Sequence, residues 1–207
     1  MEVFFDNNSS VYFGNKYFLN KRAEFIASFI NKGDSILEVG IGSGDLAAVY
    51  SNGIITGCDI SKNMIDRAKN ILPESTLTVC DAEILHYDSS SFEVVVGSEM
   101  IYYLKYPMNF IKEAIRVLKS EGKLILIWGN KYYNFLYNIA SYLKLRAYDP
   151  FALQTSTKKE LIELINDIFC KSSIHYYGIG LPGSLNGSDN IIIANCSPVN
   201  GIVVQKV

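Results

Sequence analysis

The sequence predicts an α/β fold: a doubly wound, mostly parallel seven-stranded sheet with helices on both faces and a C-terminal antiparallel hairpin. Three observations carry this. Short apolar runs of strand length recur near residues 35–39, 54–58, 77–80, 92–97, 123–128, 173–179 and 190–196. Segments with apolar residues at helical spacing stand between most of them, the alternation that builds a parallel sheet covered on both sides. The first run passes directly into a turn with three glycines at alternate positions.

Taken in order, residues 20–31 carry Phe25, Ile26, Phe29 and Ile30 on one face and predict an amphipathic helix ahead of the first strand. Ile36 to Val39 is that strand, and Asp45 to Tyr50 continues past the glycines as a helix. The run Ile54 to Asp59 ends in an acid and is followed by Ser61, a residue suited to cap the next helix. That helix holds Met64, Ile65, Ala68, Ile71 and Leu72 at helical spacing. A helix from Pro107 to Lys119 presents Phe110, Ile111, Ala114, Ile115 and Leu118, and Gly122 is expected to end it. The last two strands are joined by the loop LPGSLNGSD, which predicts the antiparallel hairpin. The tail from Ser197 to Val207 is uninformative, although Gly201 to Val204 has the content of a further strand.

Composition bounds the function. The 207 residues, 49% of them hydrophobic, suffice for one substantial core, so a single domain spanning 1–207 is expected. Nineteen basic against 21 acidic side chains, a net charge of −2, leave no electrostatic footprint for sequence-independent nucleic-acid binding. No apolar run approaches the roughly 20 residues that span a bilayer, and the N-terminus lacks the basic start and apolar stretch of a secretory signal. A cytoplasmic protein is expected. Cys58, Cys80, Cys170 and Cys196 form no paired-ligand pattern and His86 and His175 stand apart, so no metal is expected. Cys58 and Cys80 each precede an acid at the end of a predicted neighbouring strand and read as small buried hydrophobes.

The chemistry concentrates in Glu38-Val39-Gly40-Ile41-Gly42-Ser43-Gly44. Glycine takes positive φ without strain and lets a ligand approach the main chain, so strand, glycine turn and helix together read as a nucleotide-type cofactor loop. Glu38 lies inside a buried-strand pattern, where an acid is costly unless it is paired or hydrogen-bonded. Asp59 follows Gly40 by nineteen residues, the distance at which an acid at the end of the second strand accepts the hydroxyls of a ribose. In a doubly wound sheet ligands bind beyond the carboxyl ends of the strands, and the glycine loop, Asp59, Asp81 and Ser98 all belong to that edge. A dinucleotide fingerprint, by contrast, is written G-x-G-x-x-G.

These residues resemble the class I S-adenosylmethionine-dependent methyltransferases of the small-molecule type, whose first motif is (E/D)-x-G-x-G-x-G. The likeness continues through DISKNMIDRAK from Asp59, CDAEILHY from Cys80, FEVVVGSEMIYYL from Phe92 and FIKEAIRVLKSEGKLILI from Phe110, and so covers roughly residues 20 to 130. It implies the Rossmann-like methyltransferase fold and S-adenosylmethionine as cofactor. Glu38, Gly40, Gly42 and Gly44 then face the amino acid portion of the cofactor, Asp59 the ribose, Ile60 and Met64 the two sides of the adenine, and Asp81 and Ala82 its edge. Met64 fits core packing equally well.

Methyl transfer is an in-line displacement in which positioning contributes most, worth roughly 7 to 11 kcal/mol. A base is needed only where the acceptor carries a proton of high pKa. Glu99, Tyr102 and Tyr103 follow the fourth strand and are the candidates for orienting the acceptor or taking its proton. Many relatives have a histidine-containing run there, which tyrosines replace in this chain. The aromatic-rich insertion at about 130–157 is a candidate lid over a small apolar or aromatic acceptor, and equally reads as an extra packed helix. Two other readings of the whole chain stay open: an NAD-dependent oxidoreductase, and a non-catalytic cofactor-binding or scaffold protein of the same fold.

Overall fold

A computed structural model describes residues 16–51, 55–130, 165, 173–179, 187, 189 and 199–206, without the side chains of 173 and 176. Its elements run α1 (Lys16–Ala27), β1 (Ile36–Val39), α2 (Asp45–Tyr50), β2 (Thr56–Asp59), α3 (Lys62–Ile71), β3 (Thr76–Val79), β4 (Phe92–Ser98), a 3-10 turn (Ile101–Tyr103), α4 (Pro107–Val117), β5 (Leu118–Gly129), β6 (Ser173–Ile179) and β7 (Val199–Gln205). The seven strands form one sheet in the order β3-β2-β1-β4-β5-β7-β6. β1 to β5 are parallel, and β7 runs antiparallel between β5 and β6.

The sheet is apolar on both faces because helices cover both. Along β5, Leu124, Leu126 and Trp128 join Leu37, Val39 and Val95 under α4, whose Phe110, Ile111, Ala114 and Val117 are fully buried. The intervening Ile125 and Ile127 join Ile36, Val94 and Val96 on the other face, against Phe25 and Ile26 of α1, Leu46 and Ala47 of α2, and Ile65 and Ala68 of α3. Each such side chain contributes about 1.5–3 kcal/mol by leaving water. The helix starts follow local chemistry: Ser61 Oγ accepts the Met64 N–H at 3.2 Å to cap α3, and Pro107 occupies the first turn of α4.

Four expectations are corrected. The first helix spans Lys16–Ala27 rather than 20–31; Phe29 and Ile30 follow it in tight turns and still pack on the core through rings such as Phe25, 5.1 Å from Phe29. Gly122 does not end the 107–119 helix. α4 stops at Val117, and β5 pairs Leu118 with Phe92 and then Lys123 with Val94, so that residues 119–122 stand opposite Glu93 alone and three residues are extra in the strand. The left-handed residue of that excursion is Glu121, at φ +62°. A Cβ on Gly122 would lie 2.9 Å from Lys119 O and 3.1 Å from Glu93 O, so glycine is there for close backbone approach. The predicted strand at 190–196 lies outside the described residues, and the seventh strand of the sheet is Val199–Gln205. It takes that place because Val199 to Val204 is buried throughout, and because Gly201 lets Phe25 and Ile179 close over it: a Cβ there would meet their ring and methyl carbons at 2.9 and 2.7 Å. β6 has its expected bounds, and β1 to β5 differ from theirs by one to five residues at one end or both. The aromatic insertion also lies outside the described residues, apart from the buried Asn130.

β1 sits between β2 and β4, so successive crossovers leave it in opposite directions and open a crevice at the carboxyl edge.

Candidate functional site

At that edge the glycine turn leaves β1. Gly40, Gly42 and Gly44 all adopt left-handed φ, at +71°, +57° and +85°, which side-chain-bearing residues take only at a cost. Their surroundings differ. A Cβ on Gly40 would strike Met100 Cβ at 2.8 Å, and one on Gly44 would press Leu72 at 3.0 Å, whereas nothing stands within 4 Å of the Gly42 position. The middle glycine therefore faces open space and the outer two are packed. The Gly40 and Ile41 amides both donate to Cys58 O, at 2.8 and 3.0 Å, which binds the turn to β2.

Asp59, half-buried at the end of β2, completes this tie. Its Oδ2 accepts the Gly42 N–H and its Oδ1 the Ser61 N–H, each at 2.9 Å. The side chain that the sequence marks for a diol thus also shapes the loop beside it. Ile60 is half-buried, and Met64 is 4% exposed yet joins neither apolar cluster. Asp81 is exposed and its Oδ1 accepts the Glu83 N–H at 2.9 Å, while Ala82 is buried against the α4 face.

Glu38 is buried at 2% exposure, and the Tyr50 hydroxyl donates to its Oε2 at 2.6 Å. Burial raises its carboxyl to about 7, opposed by that hydrogen bond and by the charge of Arg22. Burial likewise pushes the Tyr50 phenol upward, reinforced by Glu38. Arg22, from α1, also lies 3.7 Å from Glu99 Oε1. Glu99 follows β4 directly, at φ +56°, and accepts the Tyr102 hydroxyl at 2.6 Å. Tyr102 tilts against Tyr103 with ring centroids 4.6 Å apart, and Tyr103 is buried at 9% exposure. Ser98, the last residue of β4, has a buried Oγ with no hydrogen-bond partner.

The fold thus gathers Glu38, the glycine turn, Asp59, Ser98, Glu99 and Tyr102 at one edge, with Asp81 and Ala82 beside them beyond β3. Arg22, Tyr50 and Met100 belong to the same place and were not singled out by the sequence. Tyr50 carried only a faint signal, as a phenol on the buried side of a short helix. Arg22 carried none, since its partners come from other elements. Among the described residues no group of three or more His, Cys, Asp or Glu side chains is placed to hold a metal ion, and no helix is long and apolar enough to cross a membrane.

A parallel sheet with a glycine turn and a strand-end acid at its switch point defines a nucleotide-type cofactor-binding α/β protein. Residues 37–126 match the model of the methyltransferase domain family. Over 115 residues the chain is 35% identical to the ubiquinone biosynthesis O-methyltransferase of Coxiella burnetii, covering 52% of this chain and 49% of the relative. Over 106 residues it is 29% identical to the 27-O-demethylrifamycin SV methyltransferase of Amycolatopsis mediterranei, covering 47% and 39%. The chain spans about half the length, or less, of these relatives. In fold it is similar to a solved S-adenosylmethionine-dependent methyltransferase of Aquifex aeolicus, with a TM-score of 0.71 over 98% of both chains at 14% identity. Residues 37–126 are therefore similar to the methyltransferase domain family, and the solved protein of similar fold is S-adenosylmethionine-dependent. The residues present fit that cofactor: the turn leaves room beside Gly42, the Asp59 carboxylate stands at the end of β2 against that turn, and the buried Ser98 Oγ has no hydrogen-bond partner.

Proposed function

We propose that this protein is a methyltransferase that uses S-adenosylmethionine to methylate a small apolar or aromatic acceptor, with residues 1–207 acting as one domain. The observation that carries this reading is the convergence on one edge of an open glycine position, a strand-end carboxylate tied to the glycine turn and an unpartnered hydroxyl. Asp59 holds the ribose hydroxyls, and Ile60 and Met64 flank the adenine with Asp81 and Ala82 at its edge. Glu38 and Arg22 present opposite charges to the amino acid portion, and Ser98 Oγ supplies a further hydrogen bond. Gly40 and Gly44 hold the turn in shape so that Gly42 admits the ligand.

The cofactor supplies an activated methyl group on a sulfonium. The chain's part is to hold the acceptor in line, exclude water and manage its proton. Two relatives are named for O-methylation, which favours a hydroxyl acceptor here, and a hydroxyl has a proton to lose. Glu99 is the candidate proton acceptor, with Tyr102 as the group that orients it or relays to it through their 2.6 Å hydrogen bond. Tyr103 forms the buried wall behind Tyr102. The aromatic insertion at 130–157 serves as the lid on the acceptor.

The test is direct. Adenosylhomocysteine at millimolar concentration should raise the melting temperature, NADH should not, and Asp59→Ala should abolish the effect. Stabilisation by NADH alone would transfer the protein to the oxidoreductases, and binding with no turnover across hydroxylated aromatic acceptors would favour a non-catalytic protein.

A further inference from the structure

Two thiols lie together outside the residues given roles above. Cys58 is the third residue of β2 and fully buried; Cys80 directly follows β3 and is 6% exposed. The ladder pairs Cys58 with Thr78, so Cys80, two residues on, projects from the same face, and its N–H donates to Asp59 O at 3.0 Å. Both thiols belong to the same apolar cluster under α4. Cys80 Sγ also lies 4.0 Å from His86 Nδ1 and 3.3 and 3.4 Å from the carbonyl oxygens of Ile84 and Asp81. The Tyr87 hydroxyl lies 3.0 Å from Thr78 Oγ1, and Tyr87 packs against the apolar cluster that holds both thiols.

Access and asymmetry favour reaction at one sulfur. β3 is the edge strand of the sheet, paired on one side only, and Cys80 just past its end is 6% exposed whereas Cys58 is fully buried. The neighbouring Cys58 and then His86 hold the Cys80 thiol below its ordinary range. The neighbouring Cys80 and burial raise Cys58. A low-range thiol 4.0 Å from an imidazole, diagonal to a second thiol on the same face, has the parts of a nucleophile and its resolving partner.

We propose that Cys58 and Cys80 form an oxidation-sensitive dithiol that reacts with hydrogen peroxide, and that its closure to a disulfide weakens the neighbouring cofactor site. The Cys80 sulfur attacks one peroxide oxygen and the O–O bond breaks. The departing hydroxide leaves as water with the thiol proton, and Cys80 becomes a sulfenic acid. The Cys58 sulfur then attacks the Cys80 sulfur, the S–O bond breaks, and the hydroxyl leaves as a second water with the Cys58 proton. The two thiols together lose two electrons and the peroxide gains them.

Closure must move the backbone. Diagonal neighbours on paired strands have Cα atoms about 7–8 Å apart, and a disulfide needs about 4.4–6.8 Å. The bond therefore draws the end of β3 toward β2. Cys58 and Cys80 are followed by Asp59 and Asp81, and Cys58 O holds the Gly40 and Ile41 amides, so the strain falls on the cofactor residues. This coupling rests on the cofactor assignment made above; the thiol chemistry does not.

Full-length protein carrying Cys170→Ser and Cys196→Ser keeps only these two thiols. Hydrogen peroxide is expected to remove both together, with a mass lower by two hydrogens that dithiothreitol restores, and to weaken adenosylhomocysteine binding about tenfold by calorimetry, the loss of one strong hydrogen bond. Cys58→Ser should stop at a sulfenic acid trapped by dimedone. Thiols that survive peroxide, oxidation of Cys80 with no bridge, or a bridge that leaves affinity unchanged would each overturn the proposal. Should the double variant not fold, peptide mapping of the oxidised natural protein reads the same bridge. If the reduced protein binds no adenosylhomocysteine, the cofactor assignment fails, while the mass and thiol readouts still decide the chemistry.

Discussion

Replacing Glu38 by glutamine isolates the cost of holding an acid inside β1. The side chain is 2% exposed, and burial carries its carboxyl from 4.5 to about 7 despite the Tyr50 hydrogen bond and the charge of Arg22. The folded chain therefore keeps a proton that the unfolded chain releases near 4.5. Between these two values the native state binds more protons, so stability falls as pH rises through the window and levels off above about 7. The displacement corresponds to about 3 kcal/mol. Glutamine is nearly isosteric, accepts the Tyr50 hydroxyl and does not titrate. Urea unfolding of both proteins from pH 4.5 to 8 should show the variant gaining on the natural protein by about 3 kcal/mol, since other titrating groups are common to both and cancel. Parallel pH profiles would refute the argument, because they would mean that Glu38 is solvated or already fully paired. The cofactor reading adds a second limb: an ammonium on the ligand favours ionised Glu38, so adenosylhomocysteine should bind the natural protein more tightly at pH 8 than at pH 6, and Glu38→Gln should flatten the difference.

The glycines should separate by function. Gly42→Ala meets open space and pays only for its left-handed φ, about 1–2 kcal/mol, yet should abolish the melting shift given by adenosylhomocysteine. Gly40→Ala adds a clash with Met100 and should cost about 2–4 kcal/mol in urea unfolding with no ligand present; equal losses in the two variants would contradict the packing described. Ser98→Ala removes a buried hydroxyl that has no partner, so the apo protein should be unchanged or stabilised by about 1 kcal/mol while calorimetry shows weaker ligand binding; marked destabilisation would reveal a hidden partner. Tyr102→Phe deletes the 2.6 Å hydrogen bond to Glu99 and should lower turnover at least about tenfold with ligand affinity nearly unchanged, and unaltered turnover would assign Tyr102 to packing.

Much of the fold was legible because two periodicities were clean. Ile36 to Val39 is apolar but for Glu38 and Val94 to Val96 is apolar throughout, which fits strands covered on both faces, and Phe110, Ile111 and Ala114 mark the buried side of α4. The chain's end was harder to read. Val199 to Gln205 contains a glycine and follows a proline, so local pattern gave it no priority, and its place between β5 and β6 depends on Phe25 and Ile179 reaching over Gly201. Gly122 misled for a related reason: the feature that requires glycine there is the approach of Glu93 O from β4 and of Lys119 O from its own strand, not a helix end.

At the site the division is similar. Local chemistry alone determines that Gly40, Gly42 and Gly44 form a left-handed turn after a strand and that an acid ends the next one, because φ preference and strand patterning act over a few residues. Which groups then meet is decided by tertiary structure. Arg22 reaches Glu99 from a helix 77 positions earlier in the chain, Tyr50 turns inward to a buried Glu38, and Asp59 spends one lone pair on each of two backbone amides. Hydrogen bonds and charge pairs depend on separations of a few ångströms in space, and no spacing along the chain encodes them until the sheet has brought β1, β2 and β4 side by side.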